Sequence, residues 1–173
     1  MKIIAFAASS SRKSINKQLV TYAAGLVANA EIEVLDLNDY EMPIFSEDRE
    51  NETGIPALAQ QFFNKISGCD ALVISFAEHN GSYSAAYKNV FDWCSRIDSK
   101  VYQGKATILL ATSPGAGGAA SVLGAATGSA AYFAADLKAS LSIPKFYDNF
   151  DIEKGCLKEG ELDRQLQAVM AKL

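Results

Sequence analysis

Ala71-Leu72-Val73-Ile74-Ser75-Phe76-Ala77-Glu78-His79-Asn80-Gly81-Ser82 is an apolar run that breaks into a polar turn. The run from Ala71 to Phe76 is nearly continuous rather than alternating, which is how a strand covered on both faces reads. Asn80-Gly81 turns the chain, and a helix is predicted from about Tyr83 to Ile97, containing Lys88-Asn89-Val90-Phe91-Asp92-Trp93. Open α/β sheets bind their ligands at tight polar loops placed in this way, at the carboxyl end of a buried strand.

The same grammar recurs on both sides of this stretch. Strands are expected at Lys2–Ala8, Glu31–Leu37, Lys105–Thr112 and near Ala139–Ile143. Helices are expected at about Ser14–Ala28, Pro56–Ser67, Ala119–Ala135 and Leu162–Lys172. In the first of these, Leu19, Tyr22, Ala23 and Leu26 have the spacing of a buried stripe. Pro56 suits a first helical turn. The interval Asn38–Gly54 is polar and turn-rich, and reads as a long surface loop of the kind that lines a site. The Ala, Gly and Ser content of residues 119–135 allows close approach of a second backbone, from the sheet or from a partner subunit. Five strands alternating with five helices predict an α/β protein, a flavodoxin-like three-layer α/β/α sandwich with a five-stranded parallel sheet in the order 2-1-3-4-5. Residues 1–173 read as one domain, with no repeat and no credible boundary.

Composition narrows the function classes. The chain is 49% hydrophobic, sufficient for a sizeable core, and has no apolar run of membrane-spanning length. The start, Met1-Lys2-Ile3-Ile4-Ala5-Phe6-Ala7-Ala8, superficially resembles a signal peptide but leads straight into Ser/Arg/Asn chemistry, so it is read as the first strand. Cys69, Cys94 and Cys156 are odd in number and widely spaced, against a disulfide framework or zinc site and in keeping with a reducing cytoplasm. The net charge of −4 disfavours a nucleic-acid binder, and a single His cannot assemble a metal centre. No Gly-x-Ser-x-Gly elbow accompanies it, so a hydrolase is disfavoured.

The second informative loop is Ser9-Ser10-Ser11-Arg12-Lys13-Ser14-Ile15-Asn16, between the first strand and the first helix. Backbone N–H groups and the positive helix end favour an anion there, by about 0.3–2 kcal/mol from the dipole alone. Ser9, Ser11 and Ser14 add hydroxyls, Asn16 an amide and Arg12 a guanidinium. The plainer alternative is that Ser14 is only an N-cap and the others are solvated loop. Neither a GxxxxGK[ST] nor a GxGxxG motif is present, against a nucleotide P-loop or a dinucleotide fold. A short serine-rich turn suits a terminal monoester phosphate better than a pyrophosphate.

These motifs resemble the NAD(P)H-dependent FMN reductase family, whose members carry a Gly-Ser-x-Arg-x-x-Ser-x-Asn loop, then Pro-Glu-Tyr-Asn-Gly-Ser and Lys-Asn-x-x-Asp-Trp. Here they stand as Ala8 to Asn16, Ala77-Glu78-His79-Asn80-Gly81-Ser82 and Lys88 to Trp93. The resemblance implies an FMN-dependent enzyme with no catalytic protein residue. It would take hydride from NADPH or NADH and pass it to a small acceptor (free flavin, quinone, azo dye or metal oxyanion) in a ping-pong cycle.

Ser9, Ser11, Arg12, Ser14, Ile15 and Asn16 would surround the phosphate. Ala77, Glu78, His79, Asn80 and Gly81 would underlie the ring, with Gly81 allowing close approach. Ser113, Gly115 and Gly117 of the glycine-rich loop would approach its far side, or that loop would be a flexible helix entry. Lys88, Asn89, Asp92 and Trp93 would be structural. A homodimer or homotetramer is implied, with Tyr87, Phe91 and Trp93 as anchors or else as core. The family's glycine is Ala8 here, the Arg-to-Ser interval is one residue shorter, its proline is Ala77 and its tyrosine is His79. An imidazole beside the ring could tune its reduction; otherwise His79 is a turn residue facing water. A flavodoxin-like electron carrier and a flavin-free scaffold remain the competing readings.

Overall fold

The computed structural model describes residues 1–173. Along the chain run β1 (Lys2–Ala8), α1 (Ile15–Gly25), β2 (Glu31–Leu35), α2 (Glu47–Thr53), α3 (Ala57–Ser67) and β3 (Ala71–Phe76). There follow β4 (Glu78–His79), β5 (Ser82–Tyr83), α4 (Ala85–Ile97), β6 (Ala106–Thr112), α5 (Ala120–Ala130) and β7 (Asp136–Ile143). The chain ends with α6 (Phe146–Asn149), β8 (Phe150–Asp151), β9 (Cys156–Leu157) and α7 (Glu161–Met170). A single 3-10 turn, Leu37–Tyr40, follows β2.

The main sheet has five strands in the order β2-β1-β3-β6-β7, all parallel. Counted over these strands alone, this is the predicted 2-1-3-4-5 order. Alternating side chains explain the unbroken apolar runs. Ile4, Phe6, Leu72, Ile74 and Leu109 enter one core with Phe62, Tyr87 and Val122 from α3, α4 and α5. Ile3, Ala5, Val73, Ile108 and Leu110 enter the other with Leu19 of α1 and Leu166 of α7. A strand buried on both faces has no polar side, so alternation is absent. The chain crosses from one half of the sheet to the other between β1 and β3, and the loops leaving these strands diverge above that point.

Several predicted bounds shift. α1 ends at Gly25 and β2 at Leu35, short of the expected Ala28 and Leu37. α5 stops at Ala130, before the expected Ala135, and Ala134 then takes a left-handed turn. β7 begins at Asp136 rather than Ala139, because its first residues lie exposed at the sheet edge and carry charge. Within the predicted 38–54 loop lies α2, begun by a Ser46 side chain that accepts the Arg49 N–H and ended by Gly54 at φ 74°. None of its residues is buried, so it has no apolar stripe to reveal it. No helix is long and apolar enough to cross a membrane.

Candidate functional site

Loop geometry after β1 starts from Ser14, whose extended backbone begins α1 and whose Oγ accepts the Lys17 N–H at 3.2 Å. Ser9 Oγ accepts the Ser11 N–H at 3.2 Å, and the Ser14 N–H donates to Ser11 O at 3.1 Å. Both hydroxyls therefore serve as acceptors and keep their own protons unspent. The backbone N–H groups of Ile15 and Asn16, in the first turn of α1, also find no acceptor within the chain. No acidic side chain occupies that turn.

Asn16 plays a part the sequence did not disclose. Its Oδ1 accepts from Ser75 Oγ at 2.7 Å and from the Thr112 N–H at 3.1 Å, while its Nδ2 donates to Thr112 O at 3.2 Å. The side chain expected to hold a phosphate is thus an almost fully buried staple between α1 and the ends of β3 and β6. Its backbone N–H and one amide hydrogen remain.

The turn after β3 is a β4–β5 hairpin in which His79 pairs with Ser82. Asn80 at φ 53° and Gly81 at φ 77° form its two-residue turn, the geometry for which Asn-Gly is selected. Gly81 is required by that angle; a Cβ there would meet no protein atom within 4 Å. Beyond the hairpin, Ser84 Oγ donates to Ala8 O at 2.8 Å and accepts the Tyr87 N–H, joining the start of α4 to the end of β1.

Glu78 reaches sideways. One of its carboxylate oxygens accepts the Val122 N–H at 2.9 Å, in the first turn of α5. That helix has no side-chain cap of its own, because Ala119 stands at its entry with φ 62°. Glu78 acts as the missing cap from another loop. The glycine-rich loop leading to α5 is held from beneath: Ser113 O accepts the Phe146 N–H at 3.0 Å and Gly115 O the Lys145 N–H at 2.9 Å. Gly118, at φ 59°, lies so close to β7 that a Cβ would stand 2.3 Å from Ser142 Oγ. The loop is thus packed against β7 and the start of α6.

Between these loops lies an open cleft of about 260 Å³ at the carboxyl edge of the sheet. The structure brings Ser9, Ser11, Ser14, Ile15, Asn16, Ala77, Glu78, His79 and Ser113 together in its lining. Arg12, Asn80, Gly81, Gly115 and Gly117, expected in the site, do not line it. Lys13, Thr112, Pro114 and Tyr147 do; Lys13 and Pro114 lie within the loops that the sequence marked, whereas Thr112 and Tyr147 were not singled out. Lys13 adjoins the arginine that drew attention. Thr112, Pro114 and Tyr147 follow later strands, where the carboxyl-edge rule already pointed.

A second hollow, about 280 Å³, adjoins the same loop through Ser10 and is lined by Tyr40, Met42, Ile44, Ala85 and Asn89. The 38–54 segment therefore does line a depression. Asn89 fixes it there, donating to Met42 O and Pro43 O and accepting the Phe45 N–H at 2.8 Å. Trp93 Nε1 donates to Pro43 O at 2.7 Å, and Lys88 pairs with Asp92. Asn89 and Trp93 thus tie the 42–45 segment to α4, while Lys88 and Asp92 form an exposed pair on that helix. Trp93 and Tyr87 are buried core, leaving Phe91, half-buried, as the partly accessible member of the expected anchors.

The parallel sheet, its strand order and a ligand-sized cleft at its carboxyl edge define a flavodoxin-like α/β protein. FerB from Paracoccus denitrificans, described as a flavoenzyme NAD(P)H:(acceptor) oxidoreductase, shares this fold: TM-score 0.76 at 22% identity, over 98% of this chain and 93% of that one. The chain belongs to the NADPH-dependent FMN reductase family, whose model matches residues 1–148. An NAD(P)H-dependent FMN reductase of Pseudomonas aeruginosa is 31% identical over 121 residues, 69% of this chain and 64% of that protein. A quinone reductase of Escherichia coli K12 is 30% identical over 110 residues, 63% of this chain and 58% of its own length. The match thus spans less than two thirds of these relatives.

Proposed function

We propose that this chain is an FMN-dependent NAD(P)H oxidoreductase, with residues 1–173 acting as one FMN-binding unit. The observation that carries the reading is the set of unspent donors at one helix end: the hydroxyls of Ser9 and Ser14 and the N–H groups of Ile15 and Asn16. This donor set fits a monoester phosphate, because every member donates, no acidic side chain stands in the first turn of α1, and the one carboxylate of the lining, Glu78, accepts the Val122 N–H. Lys13, in the lining, and Arg12, exposed beside it, supply positive charge. Ala77–His79 and Thr112–Pro114, with Tyr147, complete the lining, and the flavin ring would rest against the first two segments. Bound FMN would supply the hydride-accepting chemistry that links a nicotinamide donor to the acceptor. The residues of the chain hold and orient it and need transfer no proton themselves. Asn16 keeps the phosphate loop in register with the strand ends, and the Glu78 cap fixes one wall against α5.

Free flavin, a quinone, an azo dye or a metal oxyanion would take the electrons, with NADPH or NADH as donor. His79, exposed in the lining, is available to a ring placed there. A cytoplasmic setting fits the three unpaired thiols. Pairing into a homodimer, or a homotetramer, is favoured by the groove between α4 and α5, where half-buried Phe91 and Phe133 flank Ala125 and Ser129.

The test is direct. Purified protein titrated with FMN should quench flavin fluorescence at one flavin per chain, and bind riboflavin at least about tenfold more weakly, since riboflavin lacks the phosphate. It should then oxidise NADPH or NADH with a quinone and no added reductase. Protein that leaves both flavins unquenched overturns the reading. Binding without turnover on either nicotinamide makes it an electron carrier instead.

A further inference from the structure

The cleft has a wall that follows the last strand of the sheet. There α6 carries Tyr147 between two fixed points. On one side the Lys145 and Phe146 N–H groups donate to Gly115 O and Ser113 O, at 2.9 and 3.0 Å. On the other, Asn149 Nδ2 donates to Pro144 O at 2.8 Å. Phe146 is fully buried and stacks on Phe150 with ring centroids 4.6 Å apart. The backbone beneath Tyr147 is therefore anchored in the core that also contains α1.

Tyr147 itself is 57% exposed, and its ring meets Phe146 edge-on at 5.5 Å. Its hydroxyl has no partner in the chain, although it lines the same cleft as Ser14, Ile15 and Lys13. A large ring on an anchored turn loses little entropy when it takes up a ligand, having only two side-chain torsions to fix. Tyr22, the other tyrosine near α1, has already committed its hydroxyl to Asp163 at 2.6 Å. Tyr147 is uncommitted.

We propose that Tyr147 is a binding residue for the phosphate end of the flavin, donating its phenolic O–H to a phosphate oxygen from α6, within the cleft that the α1 terminus also lines. This rests on the FMN reading above and deepens it. It assigns to the chain a phosphate contact that comes from beyond the last strand of the sheet, not from the loop after the first. One anion is then gripped from two elements, so release requires both contacts to open.

The experiment compares FMN and riboflavin affinities by fluorescence quenching in wild type, Tyr147→Phe and Tyr147→Ala, with Tyr132→Phe as an exposed control elsewhere. Tyr147→Phe should weaken FMN by about tenfold and leave riboflavin unchanged, as loss of one hydrogen bond to a charged oxygen predicts. Faster FMN dissociation in the same variant supports the assignment further. Unchanged FMN affinity in Tyr147→Phe overturns the proposal. So does an equal loss for FMN and riboflavin, which places the contact on the shared part of the molecule. Wild type that binds neither flavin overturns the parent reading, an outcome separate from both.

Discussion

Two helices, α1 and α5, present their amino ends at the same edge of the sheet, and they are prepared in opposite ways. α1 is capped by its own Ser14, and its first two backbone N–H groups are unspent. α5 has no cap of its own; the Ala120 N–H donates to Gly117 O, and the Val122 N–H is taken by the Glu78 carboxylate. A carboxylate at a helix amino end neutralises the positive dipole on which an incoming anion would rely. The glycine-rich loop therefore leads to the occupied helix. The serine loop leads to the free one. Glycine content is a poor guide to anion binding when its carbonyls and its helix end are already engaged.

Three changes would break or sharpen this contrast. Asn16→Leu strikes the staple that holds the free helix in place, leaving the Ser75 hydroxyl and both backbone groups of Thr112 without partners. We expect a loss of about 3 kcal/mol, read as a lower urea midpoint. A loss below about 1 kcal/mol would mean that the loop is held otherwise.

Glu78→Ala uncaps α5 and should cost about 1 kcal/mol in unfolding free energy, with the α1 end unaffected. Riboflavin and FMN should keep their affinity ratio in this variant, because the phosphate is assigned to the other helix. A collapse of that ratio would reverse the assignment of the two ends.

The smallest effect concerns charge beside α1. Lys17 pairs with Asp36 at 2.5 Å and, with the hydrogen bonds from Asn38, lowers the Asp36 carboxyl to about 2. A carboxyl lowered on folding stabilises the native state above its unfolded value near 4, and loses that contribution as pH falls towards about 2. Solvent screening at this partly exposed pair limits the gain to about 1 kcal/mol. The difference in unfolding free energy between wild type and Asp36→Asn should be present at pH 7 and vanish by about pH 2. A difference that is flat with pH would assign the role of Asp36 to hydrogen bonding alone.

The fold was legible because its decisive signal is local. Ile3–Ala8 is wholly apolar and Ala71–Phe76 is broken only by Ser75, and only central parallel strands bury both faces. The turn was legible in Asn80-Gly81, whose backbone angles it dictates; the short strands on either side of it were not. The division of labour within the site was not. Asn16 meets its partners across 59 and 96 residues, and nothing in its neighbours says that the amide will turn inward. Glu78 caps a helix that begins more than 40 positions later. α2 escaped because its only signals are its caps, Ser46 and Gly54, with no buried face between them. Tyr147 lies beyond the last strand, where an exposed tyrosine on its own carries no meaning; its place beside Ser14 and Lys13 comes from the topology of the sheet.

The Asn16 bridge has a spectroscopic corollary. It joins the serine loop to the Thr112 peptide through both the N–H and the C=O of that residue. Any ligand that tightens the serine loop should therefore slow deuterium uptake at Thr112, a main-chain amide in the interior. One resonance there would report occupancy of the cleft from the protein's side, independently of the colour of whatever fills it.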